Sequence, residues 1–186
     1  MTRDEIIKLV ERYPYLLPRN VFTDKLPDDY AYDRIMHTEI PKGWNRLFLQ
    51  MCEDIRRPLI DDDYLDKFRF TQVKEKYNRL ECYNRGASEE VNTILEKYMV
   101  LSRYVCTKCG RRARYETQGY IASYCKPCRE SLPVVEKAKK VKFKPSFTEI
   151  ITTSSGREYE VIVPIKKEWK RYLASIRRLD NAIIDL

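Results

Sequence analysis

The fold of this chain depends on Cys106-Thr-Lys-Cys109-Gly110 and on Cys125-Lys-Pro-Cys128. Fifteen residues separate the two Cys-x-x-Cys pairs, which is the spacing of a four-cysteine zinc ribbon. Two residues between paired cysteines allow a tight turn to aim both sulfurs at one metal ion, about 2.3 Å away. Gly110 follows the first pair, where such a turn often needs a positive φ angle. The sequence therefore predicts one structural Zn²⁺ bound by Cys106, Cys109, Cys125 and Cys128.

The segment between the two cysteine pairs is expected to form a β-hairpin. Residues 111–115 and 120–124 predict two short strands, and residues 117–119 supply the turn. A site with four thiolate ligands is closed and leaves no open position for a substrate. The motif therefore indicates a folded binding module and does not identify its ligand.

Two other interpretations of the four cysteines remain open. A pair of disulfides would suit a secreted protein, but the chain starts with Met1 and continues into an amphipathic segment rather than a signal peptide. A redox Cys-x-x-Cys motif usually starts a helix in a βαβ unit, and the surrounding pattern does not predict one. We expect a protein of a reducing cytoplasm that is not secreted. Cys52 and Cys82 are interpreted as small core residues.

Charge is distributed unevenly along the chain of 186 residues, which carries a formal net charge of +8. Residues 1–70 hold 12 basic and 14 acidic side chains, whereas residues 101–186 hold 19 basic and 9 acidic ones. Basic surfaces attract nucleic acid, anionic proteins or membrane, although a charged run is often only a solvated face. No apolar run approaches the ~20 residues of a membrane span. The charge pattern favours nucleic acid or a nucleoprotein complex as the partner.

The remaining pattern predicts an α+β fold in three parts. Residues 1–42 form an N-terminal helix and an extended arm, residues 43–130 a helix–hairpin–helix core with the zinc ribbon, and residues 131–186 a basic linker and a ββα tail. The tail is expected to place strands at 147–152 and 159–163 before a helix at 166–186.

Local signals place the elements of the first two parts. Thr2 and Glu5 form a capping box for a first helix that ends before Pro14. The apolar stripe of residues 43–57 predicts a second helix, which Pro58 is expected to stop.

A hairpin and a third helix are expected next. Residues 68–82 indicate two strands around a turn at Tyr77-Asn78. Ser88 is expected to cap the helix that leads into Cys106.

Three blocks of this chain resemble a group of small zinc-ribbon proteins from bacteriophage and prophage genomes. The blocks are Gly43-Trp44 with its helix, Phe68-x-Phe-x-Gln-Val-Lys-Glu-Lys-Tyr-x-x-Leu, and the two cysteine pairs. The resemblance covers roughly residues 43–128. It implies a phage or prophage origin, and with it the cytoplasm of the bacterial host as the location, as well as a zinc-bearing core. It carries no catalytic residue.

Catalytic motifs are weak in this sequence. The single histidine, His37, excludes motifs that need two histidines. His37-Thr-Glu39 ahead of a Cys-x-x-Cys pair is similar to a zinc deaminase signature, but Val105 stands where that signature has proline. The acidic loop at residues 61–66 lacks the glycine and glutamate of a calcium loop. We therefore expect a protein that is not an enzyme.

The candidate binding face combines cations, which hold phosphates, with aromatic rings, which stack on bases. Its residues are Arg103, Lys108, Arg111, Arg112, Arg114, Tyr120, Lys126, Arg129, Lys139 and Lys140. The alternative function is a protein–protein inhibitor of a host defence system, such as an anti-CRISPR-type protein that targets an RNA-guided nuclease. A virion component is a further possibility. No membrane or small-molecule partner is expected.

Overall fold

The computed structural model describes residues 2–36, 40–117, 121–132, 139–140, 147–152 and 158–163. It confirms the α+β class, with helices and small antiparallel sheets around a cluster of four cysteines. In chain order the elements are α1 (Arg3–Arg12), α2 (Asn45–Asp61), β1 (Arg69–Lys76), β2 (Arg79–Arg85), α3 (Glu89–Ser102), β3 (Tyr115–Glu116), β4 (Ser123–Tyr124), α4 (Lys126–Glu130), β5 (Lys139–Lys140), β6 (Phe147–Thr152) and β7 (Glu158–Val163).

The N-terminal part folds against the core. Thr2 and Glu5 form the predicted capping box, and α1 ends before Pro14. A 3₁₀ turn at Pro14–Leu16 follows. The side chains of Tyr13, Tyr15, Leu16 and Ile35 are buried, so the arm packs against the core. The hydroxyl of Tyr15 donates a hydrogen bond to the carbonyl oxygen of Cys52 in α2 at 2.6 Å.

Helix α2 differs from the prediction at both ends. A 3₁₀ turn at Lys42–Trp44 precedes it, and the helix continues through Pro58 to Asp61. The expectation that Pro58 stops the helix is wrong. The apolar stripe continues past Ile55 with Pro58 and Leu59, both of which are buried. The free energy gained by burying these side chains offsets the loss of the helical hydrogen bond that proline cannot donate.

The hairpin and α3 match their predicted positions. Strands β1 and β2 pair in antiparallel register, and Tyr77 and Asn78 connect them with positive φ angles of 50° and 62°. Ser88 caps α3, where its hydroxyl oxygen accepts a hydrogen bond from the N–H of Val91. One buried apolar cluster joins α1, the arm, α2, both strands and α3. Tyr104 and Val105, which follow α3 and precede Cys106, also belong to this cluster. The core is therefore joined directly to the first cysteine loop.

The tail is described only in part. Strands β6 and β7 pair as an antiparallel hairpin, which confirms the predicted strands. Strand β5 pairs with β3 of the ribbon, so backbone pairing crosses the proposed boundary at residue 131. The helix expected at residues 166–186 and the side chain of His37 lie outside the described residues. Among the helices that the structure describes, none has the length and apolar character needed to cross a membrane.

Candidate metal centre

The first cysteine pair lies in a tight loop held by backbone hydrogen bonds. The N–H of Cys106 donates to the carbonyl oxygen of Arg111 at 2.7 Å, and the N–H of Gly110 donates to that of Cys106 at 2.9 Å. Gly110 has the predicted positive φ angle, at 73°. A residue with a Cβ atom would be strained at this φ angle. Gly110 therefore allows the backbone to make the tight turn that follows Cys109.

The second cysteine pair starts a short helix, which the sequence analysis did not predict. Cys125 is the N-cap of α4, and Cys128 lies within that helix. The ribbon strands β3 and β4 pair as expected but contain only two residues each. The N–H of Thr107 donates to the carbonyl oxygen of Ser123 at 2.9 Å, and this bond brings the two cysteine loops together.

The four sulfurs form one group. The Sγ atoms of Cys106, Cys109, Cys125 and Cys128 all lie within 4.8 Å of one another. All six cysteines of the chain are free thiols, and the sulfurs of Cys109 and Cys125 lie 3.5 Å apart. A tetrahedral zinc ion with Zn–S bonds of about 2.3 Å needs sulfurs about 3.8 Å apart. The arrangement fits a four-thiolate metal site, and it fits neither a pair of disulfides nor a lone redox pair.

The electrostatics of the cluster also favour a cation. Burial opposes ionisation of Cys109, but hydrogen bonds from the N–H of Arg111 and from the neighbouring thiols lower its pKa overall. Burial and the adjacent sulfurs raise the pKa of Cys128, and burial is the main cause of the raised pKa of Cys125. Without a cation, ionisation of Cys109 is therefore favoured, whereas ionisation of Cys125 and Cys128 is disfavoured. A divalent cation would stabilise all four thiolates together.

Gly43 connects the metal centre to the helical core. Its N–H donates to the carbonyl oxygen of Thr107 at 2.9 Å, and the indole N–H of Trp44 donates to that of Val105 at 3.2 Å. A Cβ atom built on Gly43 would lie 2.1 Å from the carbonyl oxygen of Cys106. The first cysteine loop therefore packs on bare backbone at this position. In the sequence, Gly43-Trp44 stood out only as one block of the resemblance to phage proteins, and no local pattern indicated that Gly43 contacts the metal loop.

Asn78 connects the hairpin tip to the ribbon. Its side-chain N–H₂ group donates to the hydroxyl oxygen of Ser123 at 2.7 Å and to the carboxylate of Glu116 at 3.2 Å. The hydroxyl of Ser123 in turn donates to the carbonyl oxygen of Arg103 at 2.7 Å. Asn78 is only 1% exposed, so this polar contact is buried. Asn78 lies in a turn, as the sequence predicts, whereas no local pattern indicates its partner in the ribbon.

The ribbon carries most of the predicted basic face. Arg103, Lys108, Arg111, Arg114 and Lys126 are exposed, whereas Arg112 and Arg129 are half-buried. The Arg129 guanidinium lies 5.0 Å from the ring centre of Tyr115, and Lys108 donates to the hydroxyl oxygen of Ser131 at 3.1 Å. Tyr120 lies outside the described residues, and Lys139 and Lys140 are described only as the backbone of β5.

Backbone register brings three of these arginines together. Val105 and Arg112 form an antiparallel bridge, and the N–H of Ala113 donates to the carbonyl oxygen of Tyr104 at 2.8 Å. Arg103 precedes Tyr104, and Arg112 and Arg114 flank Ala113, so this hydrogen bond brings the backbone segments that carry the three arginines together. Burial, followed by the positive charge of Arg114, lowers the pKa of Arg112. Arg103, Arg112 and Arg114 are referred to below as the arginine cluster.

The other candidate residues are either buried in the core or exposed to solvent. Cys52 and Cys82 are buried core residues, as predicted. The aspartates of the loop at residues 61–66 are exposed to solvent. Within the described part of the chain, the four-cysteine group is the set of side chains placed to bind a metal ion. No family model, curated protein or solved structure matches this chain.

Proposed function

We propose that this chain is a non-enzymatic zinc-ribbon protein that binds nucleic acid, free or within a nucleoprotein complex, through its ribbon. The closed four-cysteine group supports a structural role for the metal, because such a site leaves no position for a substrate. Zinc is the proposed ion, since four thiolates in tetrahedral geometry suit zinc. The metal centre then acts by holding the ribbon surface in shape.

The arginine cluster is the observation on which this proposal depends. Arg103 precedes Tyr104, and Arg112 and Arg114 flank Ala113, so the hydrogen bond between Ala113 and Tyr104 places three positively charged residues on neighbouring backbone segments. The charge of Arg114 also opposes that of Arg112. Neighbouring positive charges attract an anionic ligand, and a nucleic acid backbone presents a regular series of phosphates. The proposal therefore assigns phosphate binding to the arginine cluster.

Replacing the arginine cluster should weaken nucleic acid binding and reduce its dependence on salt. In the triple variant Arg103→Gln, Arg112→Gln, Arg114→Gln, we expect the slope of log affinity against log salt to fall by about two to three units. The reason is that each lost phosphate contact removes about one released counterion. Fluorescence anisotropy with labelled single-stranded and duplex probes, measured across a salt series, tests this expectation.

A matched control removes three positive charges from another part of the surface. Arg3→Gln, Lys8→Gln and Arg57→Gln change exposed residues of α1 and α2 and give the same net charge as the cluster variant. This control should keep the salt slope of the unmodified protein. If both triple variants lose affinity equally, the binding is a general effect of net charge and the cluster is not the site. If the unmodified protein binds no probe, the proposed function is wrong.

A second candidate function, binding to a protein partner, is favoured by one feature of the arm. Phe22 is 93% exposed on a turn in which the side-chain oxygen of Asn20 accepts the N–H groups of Phe22 and Thr23 at 2.9 and 3.0 Å. Exposed aromatic side chains on ordered turns are typical anchors of protein interfaces. In line with the phage resemblance, the proposed partner is a protein of a host defence complex.

The protein-partner hypothesis predicts that Phe22→Ser abolishes a specific complex. Affinity purification from nuclease-treated bacterial lysate, with partners identified by mass spectrometry, compares this variant with the unmodified protein. Truncating an interface anchor typically costs about 2 kcal/mol or more, which corresponds to at least a tenfold loss of affinity. Phe22→Tyr is the control and should retain the partner. Equal recovery of the partner by Phe22→Ser would contradict a role for this side chain.

A further inference from the structure

Tyr77 occupies an unusual position at the tip of the β1–β2 hairpin. Tyr77 and Asn78 connect the strands with φ angles of 50° and 62°, a type I′ arrangement that favours asparagine, aspartate and glycine. A bulky side chain with a positive φ angle is uncommon. Burial does not compensate for this conformation, because Tyr77 is 78% exposed. Residues held in sparsely populated conformations cluster at functional sites.

The hairpin tip lies beside the arginine cluster. Two consecutive hydrogen bonds, from Asn78 to Ser123 and from Ser123 to the carbonyl oxygen of Arg103, join the tip to the ribbon. The hydroxyl oxygen of Ser102 also accepts a hydrogen bond from the N–H of Leu80 in β2 at 2.8 Å. These contacts hold the backbone of the hairpin tip against the ribbon segment that carries Arg103.

Three charged side chains contact the residues of the hairpin tip. The ammonium group of Lys76 lies 5.9 Å from the centre of the Tyr77 ring. The carboxylate of Glu75 accepts a hydrogen bond from the N–H of Asn78, and that of Glu116 accepts one from its side-chain N–H₂ group. Both acidic groups are thus engaged with Asn78, and Lys76 is the charged group that contacts the tyrosine ring.

We propose that the ligand is single-stranded nucleic acid, and that Tyr77 stacks on one of its bases while the arginine cluster holds adjacent phosphates. This inference rests on the proposed function and names its ligand class. An exposed aromatic ring can stack on the face of any unpaired base, with Lys76 adding positive charge beside it. The bases of a duplex are already stacked on one another and are not accessible to the ring. The geometry therefore predicts a preference for single strands over duplex.

The decisive variant is Tyr77→Asn, because asparagine suits the positive φ angle better than tyrosine. We expect this variant to melt at a higher temperature than the unmodified protein and yet to bind single strands at least tenfold more weakly. Its duplex affinity and salt slope should not change, since its phosphate contacts remain. Fluorescence anisotropy with single-stranded DNA, single-stranded RNA and duplex DNA measures binding, and calorimetry measures melting.

Two further variants serve as controls. Tyr77→Trp keeps an aromatic ring and should bind single strands at least as tightly as the unmodified protein. Tyr83→Thr removes another exposed tyrosine, whose ring centre lies 5.5 Å from the ammonium nitrogen of Lys74. Tyr83 lies in β2, four residues beyond Arg79, the first residue of that strand, and so away from the hairpin tip. This variant should bind normally.

The outcomes separate this inference from the proposed function. If Tyr77→Asn binds single strands as tightly as the unmodified protein, base stacking by Tyr77 is wrong, even when the arginine cluster variant loses binding. Equal losses of single-strand and duplex affinity would also overturn the inference. If the unmodified protein binds neither form, both proposals fail together.

Discussion

Removing the metal should unfold the ribbon and destabilise the whole chain. We expect one zinc ion per molecule, and we expect Cys125→Ser to lower the free energy of unfolding by several kcal/mol, since metal binding and folding are coupled in such sites. The effect should extend beyond the ribbon because Gly43 and Trp44 bind the backbone of the first cysteine loop. Elemental analysis gives the metal content, and denaturant unfolding gives the stability.

A control for this prediction is available in the core. Cys82→Ala removes a buried thiol outside the metal cluster and should keep one zinc ion per chain, with a loss of about 1 kcal/mol. Iron in the same four-thiolate site would absorb visible light, so a spectrum distinguishes the two metals. The metal-centre interpretation is contradicted if the protein melts at the same temperature with and without a strong chelator.

Gly43→Ala is the second substitution for which we expect a large effect. The added Cβ atom would lie 2.1 Å from the carbonyl oxygen of Cys106 and 2.8 Å from the backbone nitrogen of Gly110. Both contacts are with backbone atoms of the metal-binding loop, which cannot move aside as a flexible side chain can. We expect a loss of about 3 kcal/mol, at the upper end of the range for overpacked sites, together with weaker zinc binding.

Two measurements check the Gly43 prediction. Denaturant unfolding at saturating zinc gives the stability, and competition with a metal-binding dye gives the zinc affinity. The control Lys42→Ala changes the exposed neighbouring residue and should alter stability by about 0.5 kcal/mol or less. If Gly43→Ala is as stable and binds zinc as tightly as Lys42→Ala, the packing of the helical core does not support the metal loop.

Features encoded in short stretches of sequence were predicted correctly. The spacing of Cys106, Cys109, Cys125 and Cys128 indicated one metal group because two intervening residues restrict where paired sulfurs can point, and the structure places these sulfurs together. The capping box at Thr2 and the turn at Asn78 were confirmed for a similar reason. Each depends on hydrogen bonds or φ angles within a few residues.

Predictions based on local sequence rules were wrong where tertiary contacts favoured a different conformation. Proline usually ends a helix, but α2 continues through Pro58 because the helix there buries Pro58 and Leu59. The ribbon strands are shorter than their sequence pattern predicted. This segment is stabilised largely by hydrogen bonds of the metal-binding loops, such as the one from the N–H of Thr107 to the carbonyl oxygen of Ser123. In both cases contacts distant in sequence outweigh the local preference.

The sequence by itself determined the four-cysteine group, the α+β class and the basic character of the second half of the chain. Only the tertiary structure showed that Gly43 lies against the metal loop, that Asn78 joins the hairpin to the ribbon, and that the hydrogen bond between Ala113 and Tyr104 brings the arginine cluster together. These contacts join residues 9 to 67 positions apart in the chain, and no periodic pattern encodes such pairs. They are set by how the core orients the hairpin and helices around the ribbon, which depends on the packing of all these elements at once.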